Sequence, residues 1–142
     1  MAQEANTKSV REGVVVIPFR DRESGREYLC VKTMPGNMVW VTGGTDGEPF
    51  DVAARRELKE ETGLEAEQLI ATDLTHTFNY AGTEDPGFQR VFIARVSADG
   101  TLTLPPEEIL EAKWIHAEEV EKTLTFPAHA TLFTVLHDRG LV

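Results

Sequence analysis

The chain is poor in cysteine, in positive charge and in long apolar runs, and each shortage closes off a class of protein. Cys30 is the single cysteine among 142 residues. No internal disulfide framework can form, and a reducing compartment is expected. Cys30 lies in the apolar run Tyr28-Leu29-Cys30-Val31, so it reads as a core thiol rather than a nucleophile. Lys and Arg number 14 against 24 Asp and Glu, a formal charge of −10. That balance argues against a nucleic-acid polymer or an anionic membrane as partner, because both need clustered cations. A small polyanion stays admissible, since a bound divalent ion reverses the local field. No stretch approaches the length of a membrane span, and MAQEANTKSVRE lacks the apolar core of a signal peptide. Cytoplasm is the expected location.

What is present fits one soluble domain over 1–142, with 1–10 as a flexible lead-in. A hydrophobic content of 41% with 27% charged residues is enough to bury a core. Val14 to Phe19 is a β-branched run that reads as a buried strand. Glu27 to Thr33 reads as its hairpin partner across a polar turn. Val39-Trp40-Val41 predicts a short strand leading into Thr42-Gly43-Gly44. Leu69–Tyr80 and Gln89–Val96 predict two more strands, with a Gly- and Pro-bearing loop between them, and Ala112–Ile115 a short one. His116–Lys122 and Pro127–Asp138 read as helices. Strands, one helix, more strands and terminal helices imply an α/β (α+β) fold with a mixed sheet sandwiched by helices.

The most informative stretch is Gly43 to Leu64, GGTDGEPFDVAARRELKEETGL. A helix is expected from near Pro49, where a first-turn proline costs no amide donor, to Thr62, with Gly63 as left-handed cap. At about 100° per residue, Glu60 and Glu61 fall about 60° and 40° to either side of Glu57. Three carboxylates on one face repel each other on a bare helix. All-oxygen ligands suit a hard cation such as Mg²⁺ or Mn²⁺. Spacing alone favours a solvated charged face. The flanking glycines, and the small residues Ala53 and Ala54 one turn earlier, shift the balance towards a site.

From Glu48 onward the stretch resembles the signature of the Nudix hydrolases. Glu48 is followed by seven residues, then Arg56-Glu57, Leu58, Glu60-Glu61, Gly63 and Leu64. One spacing departs from the pattern: three residues separate Gly44 from Glu48, where the family has five. The resemblance implies an α/β/α sandwich around a central mixed sheet. It also implies Mg²⁺, with Mn²⁺ as an alternative, held by Glu57, Glu60 and Glu61. A backbone carbonyl of the glycine pair joins that shell, with Gly43 the candidate. Arg56 would orient a glutamate, Glu48 or Glu57, and also pairs with Glu60 at i, i+4. Gly44, Glu48 and Gly63 are structural positions of the motif. The general base is expected shortly before the strand that carries Trp114, among Glu107, Glu108 and Glu111, with Glu108 favoured.

Substrate choice falls outside the helix. Phe78-Asn79-Tyr80 is the candidate aromatic patch, and Tyr80 lies sixteen residues after Leu64. That distance resembles the dinucleoside-polyphosphate branch of the family, where such a tyrosine stacks on a base. Trp40-Val41-Thr42-Gly43-Gly44 is similar to nucleoside triphosphate pyrophosphohydrolases, including those acting on pterin triphosphates. Arg20, Lys32 and Arg90 are candidate phosphate neutralisers, against the commoner reading of a solvated surface. The four histidines show no zinc-ligand spacing, so surface or structural roles are expected of them. The favoured function is metal-dependent hydrolysis of a dinucleoside polyphosphate by a monomer or homodimer. A nucleoside triphosphate pyrophosphohydrolase is the first alternative. A non-catalytic nucleotide-binding regulatory module is the second, and a broken glutamate set would be its mark.

Overall fold

Val14, Val15, Val16 and Ile17 are all fully buried, which only a strand covered on both faces allows. The structure, a computed structural model, describes residues 11–79 and 86–142. The elements run β1 (Arg11–Arg22), β2 (Gly25–Thr33), β3 (Asn37–Val39), β4 (Val41–Gly44), α1 (Phe50–Thr62), β5 (Gln68–Asn79), β6 (Pro86–Arg95) and β7 (Ile109–Ile115). A 3₁₀ turn (Ala117–Glu119) leads into the short helix α2 (Val120–Thr123), and α3 (Pro127–Asp138) follows.

Among the described residues the strands form one seven-stranded mixed sheet, with a main path β3-β2-β1-β6-β5. The pair β1–β6 is parallel and the other pairs are antiparallel. β1 changes partner along its length. Gly13 to Val16 pair with β4, and Phe19 to Arg22 pair with β2.

Strand alternation sends the two halves of the β1 run into two cores. Val15, Ile17 and Phe19 pack with Phe133 and Leu136 of α3. Val14 and Val16 pack with Ala53, Ala54 and Leu58 of α1. The sheet is thus sandwiched by helices, as the element order implies.

Helix α1 matches its expected bounds. Proline precedes it at position 49, Asp51 occupies the first turn, and Gly63 caps it at φ 79°. The strand expected through Trp40 is broken there instead. β3 pairs with β2 and β4 pairs with β1, so the chain changes partner at Trp40. The Trp40 amide points to His129 Nδ1 at 3.4 Å, and its indole N–H donates to the His129 carbonyl at 3.0 Å. The segment expected as a helix from His116 divides into the 3₁₀ turn and α2. Tyr80 lies outside the described residues.

Ala53 and Ala54 are completely buried under α1, so the helix backbone sits close to the sheet. Ala54→Leu should cost about 1–3 kcal/mol by overpacking. Urea unfolding measures this, and a loss below about 0.5 kcal/mol would contradict the close contact.

Candidate active site

Close packing of α1 turns one stripe of it towards the end of β4. Leu58 fills the core, and its neighbours Glu57 and Glu61 are carried beneath the sheet edge. Both carboxylates are buried, at 9% and 7% exposure. Gly43 makes room for them. A Cβ at Gly43 would overlap the Glu57 carboxyl group, so a side chain there is incompatible with this packing.

Glu57 is the hydrogen-bond neighbour of Glu61. Burial, then Glu57, then the charge of Glu108 push the Glu61 carboxyl up to about 9, while the Thr42 backbone pulls the other way. Glu60 stands apart, with its side chain 54% exposed.

Arg56 joins these groups to the turn before the helix. Its Nε donates to Glu48 Oε1 at 2.6 Å, and its Nη1 to Glu57 Oε1 at 2.8 Å and Glu60 Oε2 at 3.2 Å. Its Nη2 donates to the Gly44 carbonyl at 2.8 Å. The Glu48 bond, followed by Glu57, raises the guanidinium pKa further above its already high value.

The short Gly44–Glu48 spacing is closed by a tight turn. The Glu48 amide donates to the Thr45 carbonyl at 2.9 Å, and both central residues have positive φ, Asp46 at 52° and Gly47 at 85°. An Asp-Gly pair suits that conformation.

The donor set fits a hard divalent ion. Two buried carboxylates sit side by side, and Glu57 is paired with Arg56. The Gly44 carbonyl is taken by Arg56, whereas Gly43 O faces the position a residue-13 Cβ would occupy, 2.6 Å away. Gly13 therefore keeps a side chain from crowding that carbonyl. Among the described residues no three His, Cys, Asp or Glu side chains already form a ligand cluster, because Glu60 is turned aside to Arg56.

A cavity of about 680 Å³ opens beside the glycine pair. Thr42, Gly43 and Gly44 form one side of it; His76 and Phe78 of β5, Gln89 of β6, and Phe126 and His129 near the start of α3 form the others. None of its lining residues is Lys, Arg, Asp or Glu. The size suits a nucleoside-sized group.

The sequence profile of the NUDIX domain matches residues 10–136. The chain belongs to the Nudix family. A C. elegans Ap4A hydrolase has the same fold at 23% identity and TM-score 0.77, covering 92% of this chain and 97% of that one. The NUDIX domain of Shewanella oneidensis NrtR, in complex with ADP ribose, matches at 16% identity and TM-score 0.79, covering 95% and 91%. The E. coli dihydroneopterin triphosphate pyrophosphohydrolase matches at 18% identity and TM-score 0.73, covering 93% and 99%. This Nudix protein is a pyrophosphohydrolase, and its substrates are nucleoside diphosphate derivatives.

The Nudix site gathers some of the expected residues and not others. Glu57, Glu61, Arg56, Glu48, Gly43 and Gly44 meet at one point, and the charge of Glu108 reaches Glu61. Phe78 lines the cavity. Arg20 is seven residues along β1 from Gly13, about 23 Å away. There it binds Glu27 at 2.8 Å and lies 4.0 Å over the Trp114 ring. Lys32 lines a different concavity with Lys113 and Lys122. Arg90 lies 5.3 Å from the Phe50 ring, on the α1 face. His76, Gln89, Phe126 and His129 have no spacing in sequence that would group them. Only the β5–β6 register and the docking of α3 bring them together.

His129 is buried, and desolvation followed by the charge of His76 holds its imidazole down at about 4. An unfolded histidine titrates near 6.5, so between about pH 6.5 and 4 the unfolded chain binds the extra proton. Stability from this group is complete above that window and lost as pH falls through it, by roughly 3 kcal/mol. His129→Asn, which keeps an acceptor for the Trp40 amide, should flatten the fall in stability between pH 7 and 4. Equal slopes for both proteins in urea titrations would rule out a buried neutral imidazole.

Proposed function

We propose that the protein hydrolyses a phosphoanhydride of a dinucleoside polyphosphate in a reaction requiring Mg²⁺ or Mn²⁺. The observation that carries this reading is the juxtaposition at Gly43–Gly44: an uncharged aromatic cavity on one side, and paired buried carboxylates on the other. A base and a polyphosphate need those two environments next to each other. A nucleoside triphosphate is the second reading. The cavity, sized for one nucleoside, favours it, since a triphosphate carries a single base. A regulatory module without catalysis has the weakest support, because Glu57, Glu60 and Glu61 are all in place.

A divalent cation supplies phosphate screening and water activation in such a site. Glu57 and Glu61, with the Gly43 carbonyl, are the groups that would hold it, and Glu60 is the third candidate. Arg56 positions Glu57 through Nη1 and ties the Gly44 carbonyl to the helix. Glu48 braces Arg56 and has no other role in the reading. Glu108 is exposed and near Glu61, so it is the candidate to take the proton from the attacking water. The cavity holds the base and fixes the polyphosphate relative to the helix.

A panel of dinucleoside polyphosphates, nucleoside triphosphates and nucleoside diphosphate conjugates, assayed with Mg²⁺ in ¹⁸O water, gives the substrate and the attacked phosphorus together. No turnover on any member would overturn the enzyme reading. Glu61→Gln should lower kcat by at least about a hundredfold with the fold intact by circular dichroism. Full activity in that variant would remove Glu61 from the cation site.

A further inference from the structure

We infer that Gln89 determines which base this site accepts, and that it selects a base with an oxo group over one with an amino group at the same position. The inference rests on the reading that the cavity beside Gly43 takes the nucleobase.

The cavity has an ordered wall. His76 and Phe78 project from one face of β5, with ring centroids 5.1 Å apart and planes only 19° from parallel. Phe78 lies across β6 because its partner in the register is Gly87. A Cβ at Gly87 would stand 2.6 Å from the Phe78 ring. The two rings stack on each other and hold each other in place, and an aromatic lining of this kind suits a planar heterocycle.

The polar groups around that surface have defined roles. His76 pairs with Gln89 in the β5–β6 register, and His76 Nδ1 lies 3.0 Å from Gln89 Oε1. An amide oxygen only accepts, so Nδ1 carries the proton and the Gln89 amide nitrogen is left to donate. His129 accepts the Trp40 amide at Nδ1, which places its own proton on Nε2. Burial keeps that ring neutral. The cavity therefore offers two N–H donors, from Gln89 and His129, both next to the His76 ring: Gln89 through its hydrogen bond, and His129 in a near-perpendicular contact with ring centroids 5.7 Å apart.

Two donors favour acceptors. Guanine and hypoxanthine present a carbonyl oxygen beside a ring nitrogen acceptor, and adenine replaces that oxygen with an amino donor. An amino group placed against the Gln89 amide sets donor against donor and leaves the Gln89 N–H unpaired, although the adenine ring nitrogen can still accept from the other donor. That unpaired group costs more than a hydrogen bond gains.

Calorimetric titration with guanosine, inosine and adenosine monophosphates, without divalent metal, tests the inference apart from catalysis. Guanosine and inosine should bind alike and at least about fivefold tighter than adenosine. Gln89→Leu should bring the three within about twofold. Gln89→Glu, nearly the same shape but an acceptor, should reverse the order. Equal binding of all three by the native protein, or tighter binding of adenosine, would overturn the assignment. So would a guanosine preference that survives Gln89→Leu. A native protein that turns over no substrate but keeps the guanosine preference would sink the proposed reaction and leave the base assignment standing.

Discussion

Two buried carboxylates pressed against a glycine backbone are the constraint around which this end of the molecule is arranged. A like-charged pair in a low-dielectric setting is unfavourable by itself, and here it drives the Glu61 carboxyl up to about 9. The fold supports that arrangement with apolar packing next to it. Leu58, Ala53 and Ala54 are fully buried on the same helix and hold α1 to the sheet. The helix cannot rotate the glutamates into water without exposing those residues. A helix fixed by its core therefore delivers charge to a place that charge alone would avoid. This is the arrangement on which the proposed cation site rests.

Arg56 makes the arrangement a unit. One guanidinium reaches Glu48 before the helix, Glu57 and Glu60 on it, and the Gly44 carbonyl at the end of β4. A planar fork of five donors can serve four acceptors at once, and a lysine cannot. This hub also explains why the shortened approach to the helix is tolerated. The Asp46–Gly47 turn reverses the chain in the fewest residues, and Arg56 draws both sides of that turn onto the helix. Glu48 reaches the Arg56 Nε at 2.6 Å despite the shorter spacing before it.

Local chemistry made the helix legible, and long-range geometry hid the cavity. Pro49, Asp51 and Gly63 mark the bounds of α1 because capping acts within a few residues. The β-branched run at Val14 reports burial on both faces because that pattern is written in consecutive side chains. The break at Trp40 could not be read this way. It depends on β1 exchanging β2 for β4, and on a histidine 89 residues later meeting the Trp40 amide. His76 and Gln89 are likewise thirteen residues apart and become neighbours only through the strand register. Arg20 shows the opposite failure. Its charge suggested phosphate, but its place on β1 gave it Glu27 and Trp114 as partners.

The two halves of the site lie on opposite faces of one sheet. The carboxylates come from α1, which covers the face of Val14 and Val16. The cavity walls come from β5, β6 and the start of α3, on the face of Val15 and Ile17. They meet only at Gly43 and Gly44, the edge where β4 ends. That meeting needs a residue without a side chain at position 43, because any Cβ there would collide with Glu57. The separation has a consequence for chemistry. The carboxylates that would hold a cation come from α1, and α1 supplies none of the residues that line the cavity. A change at His76 or Gln89 alters the cavity while leaving the packing beneath Glu57 and Glu61 as it was. Such a scaffold can keep one reaction and exchange its substrates, which fits a fold shared with relatives whose ligands differ.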